Sequence, residues 1–148
     1  MHAIDLATRK PGPPTTIRES DVVWFDWVNE ERLVFTAIDR RVGGGFQRGL
    51  ALYTVQPDGA GFKVLTTEAY RHQVLATLHD GSDAIVVALN RPNPRFPDVY
   101  RMNAQTGDLT LLTLGKPADM VRWIVDRKGI PRAGIAQEAR VMDQAQRQ

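Results

Sequence analysis

The sequence predicts an all-β protein, a partial β-propeller of about two and a half four-stranded antiparallel blades that is open at both ends. Apolar residues alternate with a period of two along most of the chain, and turn residues interrupt them at short intervals. The resulting four-strand pattern recurs after about 40 to 50 residues, which is typical of propeller blades. A closed propeller needs roughly four to eight blades, so 148 residues supply only part of a ring.

The first complete unit covers residues 20–67. The pattern predicts four strands in it, at 22–27, 32–38, 50–55 and 62–65. Asn29 begins the turn between the first two strands. Pro57 and Gly59 supply the turn before the fourth, because proline presets φ and glycine accepts a positive φ.

The second unit covers residues 72–114, and a partial third covers 119–135. Strands are predicted at 73–78, 84–89, 98–102, 109–112 and 121–125, with a last one continuing to 135. Residues 1–16 are interpreted as the end of an earlier blade, because the segment 4–8 aligns with 102–106. Residues 136–148 form a polar tail.

Equivalent residues in the units are separated by similar intervals. Tyr53 and Tyr100 lie 47 positions apart, and Trp27 is matched with Leu78 at a spacing of 51. The second strands of both units are apolar on both faces, which predicts that a neighbouring sheet covers each side.

Composition excludes several classes of function. The net charge is +2, with 19 basic and 17 acidic residues scattered along the chain, which argues against a nucleic-acid partner. No apolar run reaches the roughly 20 residues that cross a bilayer, so no membrane association is predicted. There is no cysteine, which excludes disulfides, thiolate metal sites and thiol nucleophiles. The compartment, cytoplasmic or periplasmic, stays open.

Two stretches resemble a known family. They are WFDWVNEERLVFTAIDR at 24–40 and PDVYRMNAQTGDLTLLTLGKPADMVRWIVDRKGIPRAGIA at 97–136. Both are similar to the N-terminal propeller of bacterial prolyl oligopeptidase family serine peptidases, often described as dipeptidyl or acylaminoacyl peptidases. The resemblance implies a propeller that sits over an α/β-hydrolase domain and limits access of long or folded chains to a Ser-Asp-His triad. The implied partners are that hydrolase domain and peptide substrates.

No catalytic residue is assigned in this chain. The nucleophile elbow G-x-S-x-G is absent, and neither Ser20 nor Ser82 has the required flanking glycines. His72 and His79 are the plausible bases, and Ser82 follows His79 by three residues. Local turn chemistry explains that spacing better than a catalytic pair does. No cofactor and no metal site is predicted, because His and Asp residues are dispersed.

Two loops are the candidate contact regions for another domain or a peptide. Their residues are Gly43, Gly44, Gly45 and Phe46 in the first unit and Arg91, Asn93 and Arg95 in the second. The glycine run lacks the Lys-Ser/Thr and the following helix of a phosphate-binding loop, so a flexible connection between strands is the favoured interpretation.

The three tryptophans are interpreted as structural. Trp27 and Trp123 share a strand face with neighbouring apolar residues and are predicted to be core. Trp24 points to the opposite face, where it packs on the adjacent blade or is left exposed.

The sequence therefore predicts a non-catalytic propeller segment of a serine peptidase, which gates and docks onto an α/β-hydrolase domain. The alternative is a self-standing interaction module built from propeller repeats, and a third interpretation is a decayed gene product without activity. Open sheet edges also predict self-association.

Overall fold

A computed structural model describes residues 4, 6–12, 19–41, 50–67, 71–91 and 93–136. Those residues form ten strands: β1 (Ser20–Asn29), β2 (Arg32–Asp39), β3 (Ala51–Val55), β4 (Lys63–Thr66), β5 (His72–Thr77), β6 (Ala84–Leu89), β7 (Asp98–Asn103), β8 (Leu109–Leu111), β9 (Met120–Val125) and β10 (Pro131–Ala136). No helix occurs among them. The predicted all-β class is confirmed, and every strand predicted between residues 20 and 135 is present, with each predicted boundary within two residues of the observed one.

The strands form three antiparallel sheets, of four, four and two strands, and none of them is closed. The first sheet has the order β1-β2-β3-β4 and the second has the order β5-β6-β7-β8, while β9 and β10 form a hairpin. Each four-stranded sheet is a meander, because every strand in it pairs with the next strand along the chain. The turn between β1 and β2 is short and carries turn-forming side chains. Asn29 Oδ1, for example, accepts a hydrogen bond from the Glu31 amide at 2.9 Å.

The first and second sheets pack face to face. Val28, Val34 and Leu52 of the first sheet share one buried cluster with Ile85, Val87, Leu89, Met102 and Ala104 of the second. The other face of the second sheet buries Val86 and Val99 against Trp123 of the β9–β10 hairpin. Strand β6 is therefore covered on both sides, which explains its unbroken run of apolar residues.

The strand registers define which positions of the two four-stranded sheets are equivalent. Phe35 pairs with Tyr53 in the first sheet, and Val87 pairs with Tyr100 in the second. A hydrogen bond repeats at the same interval of 47. The amide of Leu52 donates to Thr66 Oγ1 at 3.3 Å, and the amide of Val99 donates to Thr113 Oγ1 at 3.1 Å.

The same registers correct the predicted match of Trp27 with Leu78. Trp27 lies opposite Leu33, and Thr77 lies opposite Ile85. Leu33 and Ile85 in turn pair with equivalent positions of β3 and β7. Trp27 is therefore equivalent to Thr77, and the equivalent of Leu78 is its neighbour Val28.

The prediction that Trp27 is a core residue is also wrong. Trp27 is 39% exposed, and Val23 and Phe25 on the same strand are exposed as well. Period-two alternation identifies two faces but does not say which face a neighbouring sheet covers. Here the second sheet covers the face that carries Val28. The prediction for Trp123 is confirmed, since only 9% of it is exposed.

Other predicted regions are only partly described. Of the predicted blade end at 1–16, the structure describes an antiparallel bridge between Ile4 and Pro11. Residues 137–148 of the polar tail lie outside the described residues.

Candidate functional site

Strands β1 and β5 run side by side at the junction of the first two sheets, and a cleft lies at each end of this line. The first cleft, at the starts of the two strands, has a volume of about 420 Å³. Its lining residues are Trp24, Thr36, Leu50, Arg71, His72, Gln73 and Val74. The second cleft, at the turns that follow the strands, has a volume of about 820 Å³. Its lining residues are Trp27, Asn29, Glu30, Glu31, His79, Gly81 and Asp83.

The first cleft contains one of the two histidines considered as bases. His72 Nδ1 lies 3.4 Å from Thr66 Oγ1, and burial lowers the pKa of the imidazole. A lowered pKa keeps the ring neutral near pH 7. The same hydroxyl of Thr66 accepts a hydrogen bond from the amide of Leu52, which is the bond that recurs between Val99 and Thr113 in the second sheet. His72 is therefore next to a group with a structural role. Trp24 lines the cleft, which is consistent with its predicted position on the face towards the adjacent sheet.

The second histidine takes part in a chain of three polar groups. Thr77 Oγ1 donates to Asp26 Oδ2 at 2.7 Å, and His79 Nε2 lies 2.9 Å from the same hydroxyl. A hydroxyl has one proton to donate, so a proton on Nε2 completes the second contact and the imidazole is the donor. A general base must accept the proton of its nucleophile. Here His79 donates a proton to the hydroxyl of Thr77 instead of accepting one from it. The hydrogen bond between Thr77 and Asp26 connects the second sheet to the first.

Ser82 is likewise engaged with a carboxylate. Its hydroxyl donates to Asp80 Oδ1 at 2.5 Å, and its amide donates to the same oxygen at 3.0 Å. These two hydrogen bonds lower the pKa of Asp80, whose other oxygen lies 4.0 Å from Arg101. The His79–Ser82 segment therefore has the geometry of a side-chain-closed turn.

A second polar contact crosses the sheets at the second cleft. Arg32 Nε donates to Asp83 Oδ1 at 3.1 Å, and Asn29 Nδ2 donates to the same oxygen at 2.9 Å. Arg32 also approaches Thr54 Oγ1 at 3.5 Å. The positive charge of Arg32 is paired with Asp83. The exposed carboxylates of Glu30 and Glu31 therefore give this cleft an acidic rim.

The predicted contact loops lie elsewhere. Gly43, Gly44, Gly45 and Phe46 are outside the described residues. Arg91, Asn93 and Arg95 lie in the connection between β6 and β7, where side chains and backbone bond within the loop.

Two hydrogen bonds made by this loop are short. The Tyr100 hydroxyl donates to the Arg91 carbonyl at 2.7 Å, and the Arg95 amide donates to Asn93 Oδ1 at 2.9 Å. Arg91 also lines a small cleft of about 140 Å³ together with Leu65 and Leu109. The β6–β7 loop thus makes a hydrogen bond with β7, and none of its described residues lines either larger cleft.

Sequence reasoning missed the pairing of Asp26 with Thr77 and the acidic rim of the second cleft. The turn sequence Asn29-Glu30-Glu31 is the only local signal for that rim, and it reads first as turn chemistry. The described residues contain no group of three or more His, Cys, Asp or Glu side chains that would hold a metal ion. Within the same residues, no helix of the length and hydropathy needed to span a membrane is present.

No protein-family model matches the chain, and no curated protein matches it.

Proposed function

We propose that this chain is a non-catalytic propeller segment of a serine peptidase, and that it docks onto an α/β-hydrolase domain and restricts access to its active site. The observation that carries the proposal is the stacking of consecutive antiparallel sheets with repeated registers. Sheets that succeed one another in this way, each covering its neighbour, are the building principle of a propeller. The resemblance of 24–40 and 97–136 to prolyl oligopeptidase propellers supplies the peptidase context.

The polar geometry is consistent with a binding role. Among the described residues, the hydroxyls of Thr77 and Ser82 donate to Asp26 and Asp80, so neither is activated by a histidine base. The role left to the two clefts along β1 and β5 is to recognise a ligand by shape, hydrogen bonds and charge.

The first test is chemical. The purified chain should not hydrolyse peptidyl or acyl chromogenic substrates. Hydrolysis that a serine-directed inhibitor abolishes would refute the proposal.

A genetic test addresses the parent protein: the DNA downstream should encode G-x-S-x-G followed by Asp and His. A stop codon followed by unrelated genes would remove the peptidase context.

The second candidate function is an interaction module for basic peptides, and the acidic rim of the second cleft favours it. The cleft offers a Lys or Arg side chain two carboxylates, those of Glu30 and Glu31, and the indole of Trp27 for a cation–π contact.

Fluorescence anisotropy with a labelled Arg-containing peptide tests this function. Glu31→Gln should weaken binding, and salt should weaken it further. Glu19→Gln, at an exposed carboxylate outside the cleft, is the matched control. Equal binding by both variants would exclude this function.

A further inference from the structure

The first cleft, at the starts of β1 and β5, differs from the second cleft in charge. Among the described residues that line it, Arg71 alone carries a charge near pH 7, because burial lowers the pKa of the His72 imidazole. The Arg71 side chain is exposed, and none of the ion pairs among the described residues includes it. The cleft therefore offers a guanidinium to an anionic ligand.

The carboxylates at this end of the first sheet are paired with other arginines. Asp21 lies 3.5 Å from Arg40, and Asp39 lies 2.9 Å from Arg41. These pairs leave the positive charge of Arg71 uncompensated. A guanidinium binds a carboxylate through two parallel N–H···O bonds, and its single charge matches that of a carboxylate.

The walls of the first cleft are largely apolar. Trp24, Leu50 and Val74 line it, and Trp24 is 38% exposed. The volume of about 420 Å³ lies within the range of about 300–1,000 Å³ that is typical of ligand sites. Apolar walls beside one cation suit a ligand whose carboxylate is attached to an apolar or aromatic group.

Two features of the strands favour a peptide over a small organic acid. Among the described strands, β1 and β5 each pair on one side only, so their second edges keep N–H and C=O groups that no neighbouring strand uses. An extended peptide binds such an edge through its own backbone. Each strand also has a β-bulge near the cleft, between Val22 and Trp24 and between Val74 and Ala76. Bulges commonly occur next to functional sites.

We propose that the first cleft binds the C-terminal residue of an extended peptide that ends in an apolar side chain. The terminal carboxylate binds the guanidinium of Arg71, and the last side chain packs on Trp24 and Val74. The peptide backbone pairs with the free edge of β5. Binding at this cleft requires neither the peptidase parent nor the acidic rim of the second cleft, so it can be tested if either of those proposals fails.

Isothermal titration calorimetry of the full chain with the hexapeptide acetyl-GSGSGF tests the proposal. The peptide with a free C-terminal carboxylate should bind at least about tenfold more tightly than the same peptide with a C-terminal amide, because hydrogen bonds to a charged group are the stronger ones. Arg71→Gln should remove this preference by weakening only the binding of the free acid. Its unchanged affinity for the amide also shows that the variant is folded. Arg127→Gln, at an exposed arginine in the β9–β10 turn, is the matched control and should keep the preference.

A second variant and a shorter ligand separate the other contacts. Trp24→Ala should weaken the acid and the amide equally, by about two- to tenfold, because the indole contacts the last side chain and not the carboxylate. N-acetylphenylalanine should bind less tightly than the hexapeptide, since it has little backbone to pair with β5.

Three results would overturn the proposal. The first is equal affinity of the unsubstituted chain for the acid and the amide, or no binding of either at millimolar concentration. The second is an unchanged preference for the acid in Arg71→Gln. The third is binding of N-acetylphenylalanine as tight as that of the hexapeptide, which would identify the ligand as a small carboxylate and not a peptide.

Discussion

The ion pair between Arg32 and Asp83 offers a direct test of how the first two sheets hold together. The Arg32 side chain is 6% exposed and that of Asp83 is 30% exposed, with Nε and Oδ1 3.1 Å apart. Arg32→Met removes the charge and keeps most of the apolar stem that packs between the sheets. Removing one member of a fully buried pair costs about 3–5 kcal/mol, whereas an exposed pair is worth about 0–1 kcal/mol.

Asp83 is intermediate between these limits, because it stays partly hydrated and keeps its hydrogen bond from Asn29. We therefore expect Arg32→Met to lower the free energy of unfolding by about 2 kcal/mol. Urea denaturation, followed by tryptophan fluorescence, measures the loss. A double-mutant cycle with Asp83→Asn should give a coupling energy above about 0.5 kcal/mol.

The matched control is Arg40→Met. Arg40 pairs with Asp21 at 3.5 Å, and both side chains are more than half exposed. Its loss should stay below about 0.5 kcal/mol. If Arg32→Met costs no more than Arg40→Met, the contact between the sheets does not depend on this ion pair, and the reasoning from burial is refuted.

Three further predictions follow from the packing. Leu52→Ala should cost about 3 kcal/mol, because Leu52 is fully buried between the sheets, and exposed Leu114→Ala should cost less than about 0.5 kcal/mol in the same urea titration; equal costs would contradict the assigned core. Gly129→Ala should lower the free energy of unfolding by about 1–3 kcal/mol more than Gly115→Ala does. The φ angles of the two glycines are nearly equal, +74° and +73°, but only at Gly129 would a Cβ meet another side chain, Val86 Cγ2 at 2.4 Å. Equal shifts of the melting temperature in the two variants would contradict this prediction. Burial lowers the pKa of His72 below 6.5, so the unfolded chain binds this proton at a higher pH than the folded chain does, and the free energy of unfolding should fall as the pH drops below about 6.5. His72→Gln should reduce the dependence of the free energy of unfolding on pH in this range. An unchanged pH dependence would contradict the assignment.

Much of the fold was accessible from local pattern. The alternation in β1, the doubly apolar run in β6 and the turn residues around Gly59 and Gly129 located the strands, because these signals arise within a few residues. The spacing of Tyr53 and Tyr100 also identified a true equivalence. The match of Trp27 with Leu78 failed by one residue, because bulges lie between Val22 and Trp24 in β1 and between Val74 and Ala76 in β5, so the offset between equivalent residues is not constant along these strands.

The candidate site was much less accessible. Asp26 and Thr77 are 51 residues apart, as are Arg32 and Asp83, and no local rule relates them. Their contacts exist because two separate sheets stack with β1 beside β5. Glu30 and Glu31 have the sequence of an ordinary turn, and only the position of His79 and Asp83 on the next sheet makes that turn one wall of a cleft.

The sequence alone determined the strand type, the turn positions and the recurrence of a four-strand unit, because each depends on side-chain periodicity and on φ preferences of neighbouring residues. The tertiary structure decided which face of each sheet is covered. That choice buried Val28 and exposed Phe25 and Trp27, although all three lie on one strand with similar hydrophobicity. The physical reason is that the burial of a side chain depends on both surfaces that pack together, and the sequence of one strand does not specify which sheet will cover it.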